Sequence, residues 1–353
     1  MRLFRCGSCG QPVYFENTQC TRCGACLGFV PEKLDMAALT LLANGFWQSA
    51  ADAQTYKLCS NYAHQGVCNW LVPADSNDDY CVACRLNRTI PDLNNTHFKT
   101  LWSRLETDKR RLVYSLLRLK LPILPQAEHS EGLAFDFLAD LAPQFNETGR
   151  VLTGHKEGVI TLNIAEADPV AREQMRTQMA EPYRTILGHF RHESGHYYWD
   201  RLIWNTSWLE EFRLCFGDER QDYAQALDRL YNQGPPFDWQ ANHVSAYASS
   251  HPWEDWAETW AHYLHLVDTL ETAYQFGLSV HPRTADTPEM SLEQSFNPYD
   301  DTDMDSLIAH WLPLTYALNS LNRSMGHDDL YPFVLSPGAI QKLTFVHRVI
   351  HSG

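Results

Sequence analysis

Apolar residues Tyr183, Ile186, Leu187, Phe190 and Tyr197 recur at three- to four-residue spacing, which predicts a half-buried helix over residues 186–202. A second stripe of the same segment, His189, His192, Glu193, His196 and Asp200, is ionisable throughout. Buried polar groups need partners, so such a stripe beside an apolar face predicts a site rather than plain packing. Further on, Trp253, Trp256, Ala257, Trp260 and Leu264 predict another amphipathic helix, capped by Ser250 with Pro252 in its first turn.

The same spacing predicts a Leu-rich helix over residues 102–121, stopped by Pro122, and closing helices over 307–321 and 339–350. Its basic run, Lys109-Arg110-Arg111, is expected to be a solvated face. Residues 36–47 also carry a helical pattern. Alternation over residues 132–140 predicts a strand, and residues 151–164 predict a hairpin turning at His155 to Gly158. Asp168-Pro169 should open a helix, with Asp as its N-cap. An acidic, Pro-containing stretch over 286–305 is expected as an exposed loop.

These elements amount to an α+β chain, mainly helical, with a small mixed sheet. The expected organisation is an N-terminal module over residues 1–90, a helical connector over 91–130 and a main domain over 131–353. A chain of 353 residues, 44% hydrophobic and 20% charged, can bury a core of its own. A net charge of −15 argues against a general nucleic-acid binder. No apolar run suits a membrane span or a signal peptide, so no membrane role and a cytoplasmic location are expected.

Chemistry enters with His192-Glu193-Ser194-Gly195-His196, an H-E-x-x-H string. Residues four apart on a helix share a face, so His192 and His196 can offer two imidazoles to one ion, with Glu193 beside its open position. Neutral imidazoles bind Zn²⁺ at about 2.0 to 2.1 Å, and a nearby carboxylate can take a proton from a bound water. A catalytic zinc needs a third protein ligand. Glu254 is the best candidate, with Glu258 one turn on to receive the N–H of a ligand histidine. Glu210, Glu211 and Glu219 also follow the motif, and a solvated helix face is the plain alternative for Glu254 and Glu258. Trp199 and Leu202 stand where a longer metzincin pattern would need Gly and His.

Nine of the ten cysteines precede residue 85. Cys6, Cys9, Cys20 and Cys23 form two C-x-x-C knuckles, the donor set of a closed tetrahedral zinc site. Cys59, Cys68, Cys81 and Cys84 fit a second such site, with a set of core thiols as the alternative; Cys26 is expected to be a spare thiol. One catalytic zinc and one or two structural zincs are therefore expected. Residues 1–90 carry seven Lys/Arg against seven Asp/Glu, no footprint for nucleic acid, so this module is expected to contact protein or to be purely structural.

With these motifs in view, the chain resembles a bacterial family of proposed zinc-binding metallopeptidases that carry an N-terminal zinc ribbon. Its catalytic part resembles the gluzincins, including those of lethal-factor type. The resemblance implies a zincin-like domain, a zinc-dependent peptidase or amide hydrolase with Glu193 as general base, and a peptide or protein substrate. It assigns Glu254 as third ligand, Glu258 as its outer partner, and Tyr247, seven residues before Glu254, as the group that stabilises the oxyanion. It also implies that residues 161–165 form a sheet edge that binds extended substrate. A non-catalytic, zinc-stabilised interaction or regulatory protein is the alternative.

Overall fold

Paired Cys-x-x-Cys-Gly turns begin the chain. A glycine in the left-handed region closes each, Gly10 at φ 74° and Gly24 at φ 72°, where a side chain would be strained. The computed structural model of the protein describes residues 2–140, 153–178, 183–283, 288–293, 295–300 and 303–352. It divides into two compact units, Met1–Met175 and Arg176–Gly353.

In the first unit, β1 (Phe4–Arg5) and β2 (Pro12–Val13) pair antiparallel around the first turn. An antiparallel meander follows: β3 (Cys26–Val30), β4 (Asp35–Leu41), β5 (Trp47–Ser49), β6 (Thr55–Leu58) and β7 (Leu71–Pro73). The sheet curls back on itself, with Phe29 N donating to Asn69 O at 2.8 Å. Gly28 permits this approach, since a Cβ there would lie 2.5 Å from Leu71. Val30, Ala37, Leu39, Tyr56 and Leu71 fill the interior.

Strands β4 and β5 replace the helix expected over residues 36–47. Ala and Leu are good helix formers, which produced the helical pattern. The Asn44-Gly45 pair, with Gly45 at φ 85°, instead turns the chain, and pairing of β4 on both sides outweighs local propensity.

Helix α1 (Thr96–Arg118) is capped by Asn95, which accepts from His97 N and Phe98 N. The basic run on this helix is not the solvated face expected. Lys109 is fully buried with Glu106 at 2.8 Å, and Arg110 is buried as well. Only Arg111 keeps partial exposure, paired with Glu16 and Asp108. Lys109 pairs with an acid one turn back on α1 itself and Arg110 with the Val67 carbonyl, so spacing shows a partner for Lys109 but not that neighbouring elements bury them.

A mixed sheet completes this unit in the order β10 (Gly154–Lys156), β11 (Val159–Asn163), β9 (Ala134–Leu138), β8 (Asn87–Thr89). The β10–β11 pair is antiparallel and the other two are parallel. The hairpin turns at Glu157 and Gly158, both at positive φ; residues 151–152 of the expected hairpin lie outside the described residues. Of residues 161–165, Thr161 pairs with both β10 and β9, Leu162 and Asn163 pair among the described residues with β9 alone, and Ile164–Ala167 is a 3-10 turn rather than strand. Asp168 opens α2 (Pro169–Gln178), accepting from Val170 N and Ala171 N.

The second unit is mainly helical: α3 (Ile186–Leu202), α4 (Leu209–Phe216), α5 (Tyr223–Gln233), α6 (Pro252–Phe276), α7 (Met304–Ser324) and α8 (Pro337–Ile350). A two-stranded pair, β12 (Ser279–Val280) and β13 (Leu292–Glu293), lies between α6 and α7 in sequence. Strand β13 falls in the stretch expected as a loop, of which residues 286–287, 294 and 301–302 are outside the described residues. Helix α6 is buried along most of its length, with Trp256, Trp260, Tyr263 and Leu264 inaccessible to solvent. His251 rather than Ser250 caps it, through Nδ1 accepting from Trp253 N. Among the described residues no helix is long and apolar enough to cross a membrane.

Candidate metal centre

Two helices build the centre, and their approach is set by small and indole side chains. At Gly195 a Cβ would lie 2.9 Å from Ala257 Cα and 3.2 Å from Trp260, so the absence of a side chain lets α3 lie against α6. Trp256 Nε1 donates to Gly195 O at 2.8 Å, and Trp260 Nε1 donates to Ser194 Oγ at 3.2 Å. These bonds fix the rotation of α3 about its axis and turn His192, Glu193 and His196 toward the start of α6.

There three donor atoms converge. His192 Nε2 lies 3.2 Å from His196 Nε2, and Glu254 Oε2 lies 3.0 Å from the first and 3.5 Å from the second. A tetrahedral ion with ligand bonds of about 2.0 to 2.1 Å requires donor separations of about 3.3 Å. The donor chemistry fits zinc as well, two imidazoles and one carboxylate. Glu193 is buried, and among the described residues its Oε2 has no hydrogen-bond partner. A buried carboxylate oxygen without a partner costs free energy unless an unseen group satisfies it.

The second atoms of His192 and Glu254 are occupied. His192 Nδ1 and Glu258 Oε1 lie 2.7 Å apart, which assigns the imidazole N–H to Nδ1 and leaves the Nε2 lone pair for an ion. Ser245 Oγ donates to Glu258 Oε2 at 2.6 Å, and Tyr223 OH donates to Glu254 Oε1 at 2.7 Å. Burial opposes charge on His192, yet hydrogen bonds and the charges of Glu254 and Glu258 raise its pKa well above the usual value. Burial likewise opposes ionisation of Glu254, but His196 and His192 hold its pKa well below the carboxylate range. Glu254 therefore stays an anionic donor, and a cation bound there would displace the extra proton of His192.

Tyr247 sits in the 3-10 turn Tyr247–Ser249, its ring 6.0 Å from that of His192. Burial, followed by the charge of Glu254, pushes its phenol far above the usual range, so it stays a donor at neutral pH. The rival acids are engaged elsewhere: Glu210 and Glu219 with Arg213, and Glu211 with Arg348. Ser245 and Tyr223 escaped the sequence reading. Each lies more than ten residues before the acid it touches and belongs to no motif.

Residues 98–349 match the family described as "Putative zinc-binding metallo-peptidase", and residues 3–95 match a zinc-ribbon domain. The chain belongs to that metallopeptidase family. Among its curated relatives are the uncharacterized proteins Rv2568c of Mycobacterium tuberculosis and Mb2598c of Mycobacterium bovis. Each is 47% identical over 352 residues, covering 99% of this chain and 95% of the relative. No solved structure matches the chain.

Within this family member, both cysteine sets also converge. Cys6 and Cys23 Sγ lie 3.7 Å apart, Cys9 and Cys20 3.6 Å, and Cys68 and Cys81 3.9 Å. Zinc–sulfur bonds of about 2.3 Å in a tetrahedron require about 3.8 Å between sulfurs. The sets Cys6, Cys9, Cys20, Cys23 and Cys59, Cys68, Cys81, Cys84 each gather their donors within 4.8 Å, the second wholly buried. Cys26 belongs to neither, its Sγ lying 3.6 Å from Tyr62 OH. Burial would discharge Arg110, but the charges of Cys68, Glu106, Cys84 and Cys81 raise its pKa. That cation offsets the negative charge four thiolates bring to an enclosed site.

Proposed function

We propose that this chain is a zinc-dependent peptidase or amide hydrolase of gluzincin type, with Glu193 as its general base. The observation that carries the proposal is the triangle of His192 Nε2, His196 Nε2 and Glu254 Oε2, with edges of 3.0 to 3.5 Å, two of its corners on a helix whose buried Glu193 leaves Oε2 without a hydrogen-bond partner among the described residues. These three residues would hold the ion. Zinc bound there supplies a Lewis acid that polarises a carbonyl and lowers the pKa of water toward about 7.

The chain's own groups divide the proton work. Glu193 takes the proton of the attacking water and passes it to the leaving amine. Tyr247, held protonated by burial, donates a hydrogen bond to the carbonyl oxygen as it gains negative charge. Glu258 orients His192 and is itself held by Ser245. The substrate is proposed to be a peptide or protein. Cys6, Cys9, Cys20, Cys23 and Cys59, Cys68, Cys81, Cys84 are proposed to hold two structural zincs, in a ribbon that offers a surface to a protein partner.

Glu193→Gln tests the mechanism. Metal analysis should find the same zinc content, while cleavage of a denatured casein digest, followed by mass spectrometry, should fall at least about 10³-fold. Full cleavage by this variant would eliminate Glu193 as the base.

A further inference from the structure

We infer that Tyr223 is a positioning residue of the metal centre, one that limits Glu254 to a single ligating oxygen and so keeps a coordination position open. The inference rests on the His192, His196 and Glu254 site proposed above. A carboxylate has two oxygens and can bind a cation through one or both. With one donor position used by each imidazole, a two-oxygen Glu254 would crowd the place needed by water and substrate.

The geometry favours the one-oxygen mode. Glu254 Oε1 accepts the Tyr223 hydroxyl at 2.7 Å, while Oε2 faces both imidazoles at 3.0 and 3.5 Å. The carboxylate is 1% exposed, so water does not compete for Oε1. Tyr223 is 39% exposed, and its hydroxyl nonetheless turns to the buried acid rather than to solvent.

Its ring is held for that task. It packs edge-on against His251 at 5.3 Å and Trp253 at 6.2 Å, both at the start of α6 beside Glu254. The backbone just before it is tied to the same place, His251 Nε2 lying 3.2 Å from Gln221 O. Asp222 caps α5 by accepting from Gln225 N, which sets Tyr223 as the first residue of that helix. Of the described side chains of α5 only Ala226 is buried. The apolar packing of α5 is thus slight, and the tie at its N-terminal end falls on the proposed third ligand.

Tyr247 has a different task. It approaches His192, interacts with the Tyr223 hydroxyl and is proposed to touch the substrate oxygen, whereas Tyr223 acts through Glu254. The two tyrosines should therefore separate experimentally.

Cobalt(II) titration of the full-length protein provides the test, because thiolate-bound cobalt and cobalt held by nitrogen and oxygen have distinct visible spectra. In Tyr223→Phe the ring packing remains and only the hydroxyl goes. Cobalt affinity at the nitrogen–oxygen site, measured by chelator competition, should fall by about 10-fold or more, with altered weak bands reporting a changed coordination number. The thiolate bands, unchanged, would show that the fold persists. Tyr247→Phe should leave cobalt affinity within about 2-fold and lower turnover instead. Wild-type affinity and spectrum in Tyr223→Phe would overturn the inference and leave the peptidase proposal standing. Wild-type protein that takes up cobalt at the thiolate sites alone would overturn both. A loss of affinity in Tyr223→Phe, combined with full cleavage by Glu193→Gln, would support Tyr223 and sink the mechanism.

Discussion

The cysteine clusters and the histidine–glutamate cluster solve the same geometric problem in opposite ways. Each cysteine set gathers four donors from a short stretch of chain, 6–23 or 59–84, on turns that bring the sulfurs together. The other cluster takes three donors from two helices whose contributions lie far apart in sequence, His196 on α3 and Glu254 on α6. Four thiolates close a shell, whereas three donors leave a corner. The difference lies equally in what holds each cluster. The cysteine sulfurs of the first unit face one another at 3.6 to 3.9 Å with no bond joining them, beside an aromatic core of Phe4, Phe15, Phe29 and Trp70, while α3 and α6 are joined by Trp256, Trp260 and Gly195 whatever lies between them. Metal should therefore be part of folding in the first case and an addition to a finished fold in the second.

The sharpest way to break this comparison sets Cys81→Ser against His196→Ala. Apparent binding free energies of structural zinc reach about 10 kcal/mol or more, so losing the second cysteine set should unfold residues 1–175. Hydrogen exchange should show that loss, with zinc content down by one. His196→Ala should also lose one zinc, yet its thermal midpoint should stay within about 4 °C of wild type. A midpoint that drops as far in both variants would erase the distinction.

A smaller effect is expected at the charges behind the second cysteine set. Lys109→Met strands Glu106, fully buried and 2.8 Å from the ammonium it would lose. Removing one partner of such a pair costs about 3 to 5 kcal/mol. Arg111→Ala, at a half-exposed pair, should cost about 1 kcal/mol or less. Urea denaturation of the two variants gives the comparison directly, and equal midpoints would mean that Lys109 is not paired as described.

The smallest effect concerns the second unit and pH. Burial lowers His262 to about 4, its Nδ1 lying 2.7 Å from Tyr331 OH. The unfolded chain binds this proton near pH 6.5 and the native chain does not until about pH 4. Stability is then highest above pH 6.5 and falls as pH drops through that window, by about 3 kcal/mol at most. His262→Asn should flatten the dependence of the thermal midpoint on pH between 6.5 and 4.5. An unchanged slope would assign the acid sensitivity to other groups.

Much of the site was legible along the chain. The i, i+4 histidines, the carboxylate between them and the Cys-x-x-Cys knuckles depend on local backbone geometry, which spacing reports directly. Residues 36–47 show where that logic stops. Their Ala and Leu content favours a helix, and only the neighbouring strands β3 and β5 make them a hairpin. Lys109 and Arg110 looked like a wet face because nothing local announces Glu106's burial or the thiolates behind it.

By itself the sequence determined the donor types, the helices that carry them and the α+β class, since each follows from interactions within a turn or two of chain. The tertiary structure alone decided that Glu254, rather than Glu210, Glu211 or Glu219, meets His192 and His196, and that Tyr223 and Ser245 stand behind them. Those outcomes depend on how closely α3 and α6 approach at Gly195 and on packing between residues tens of positions apart. Periodicity reports which face of a helix is apolar, but the partner for that face is chosen by the fit of side chains in the folded core.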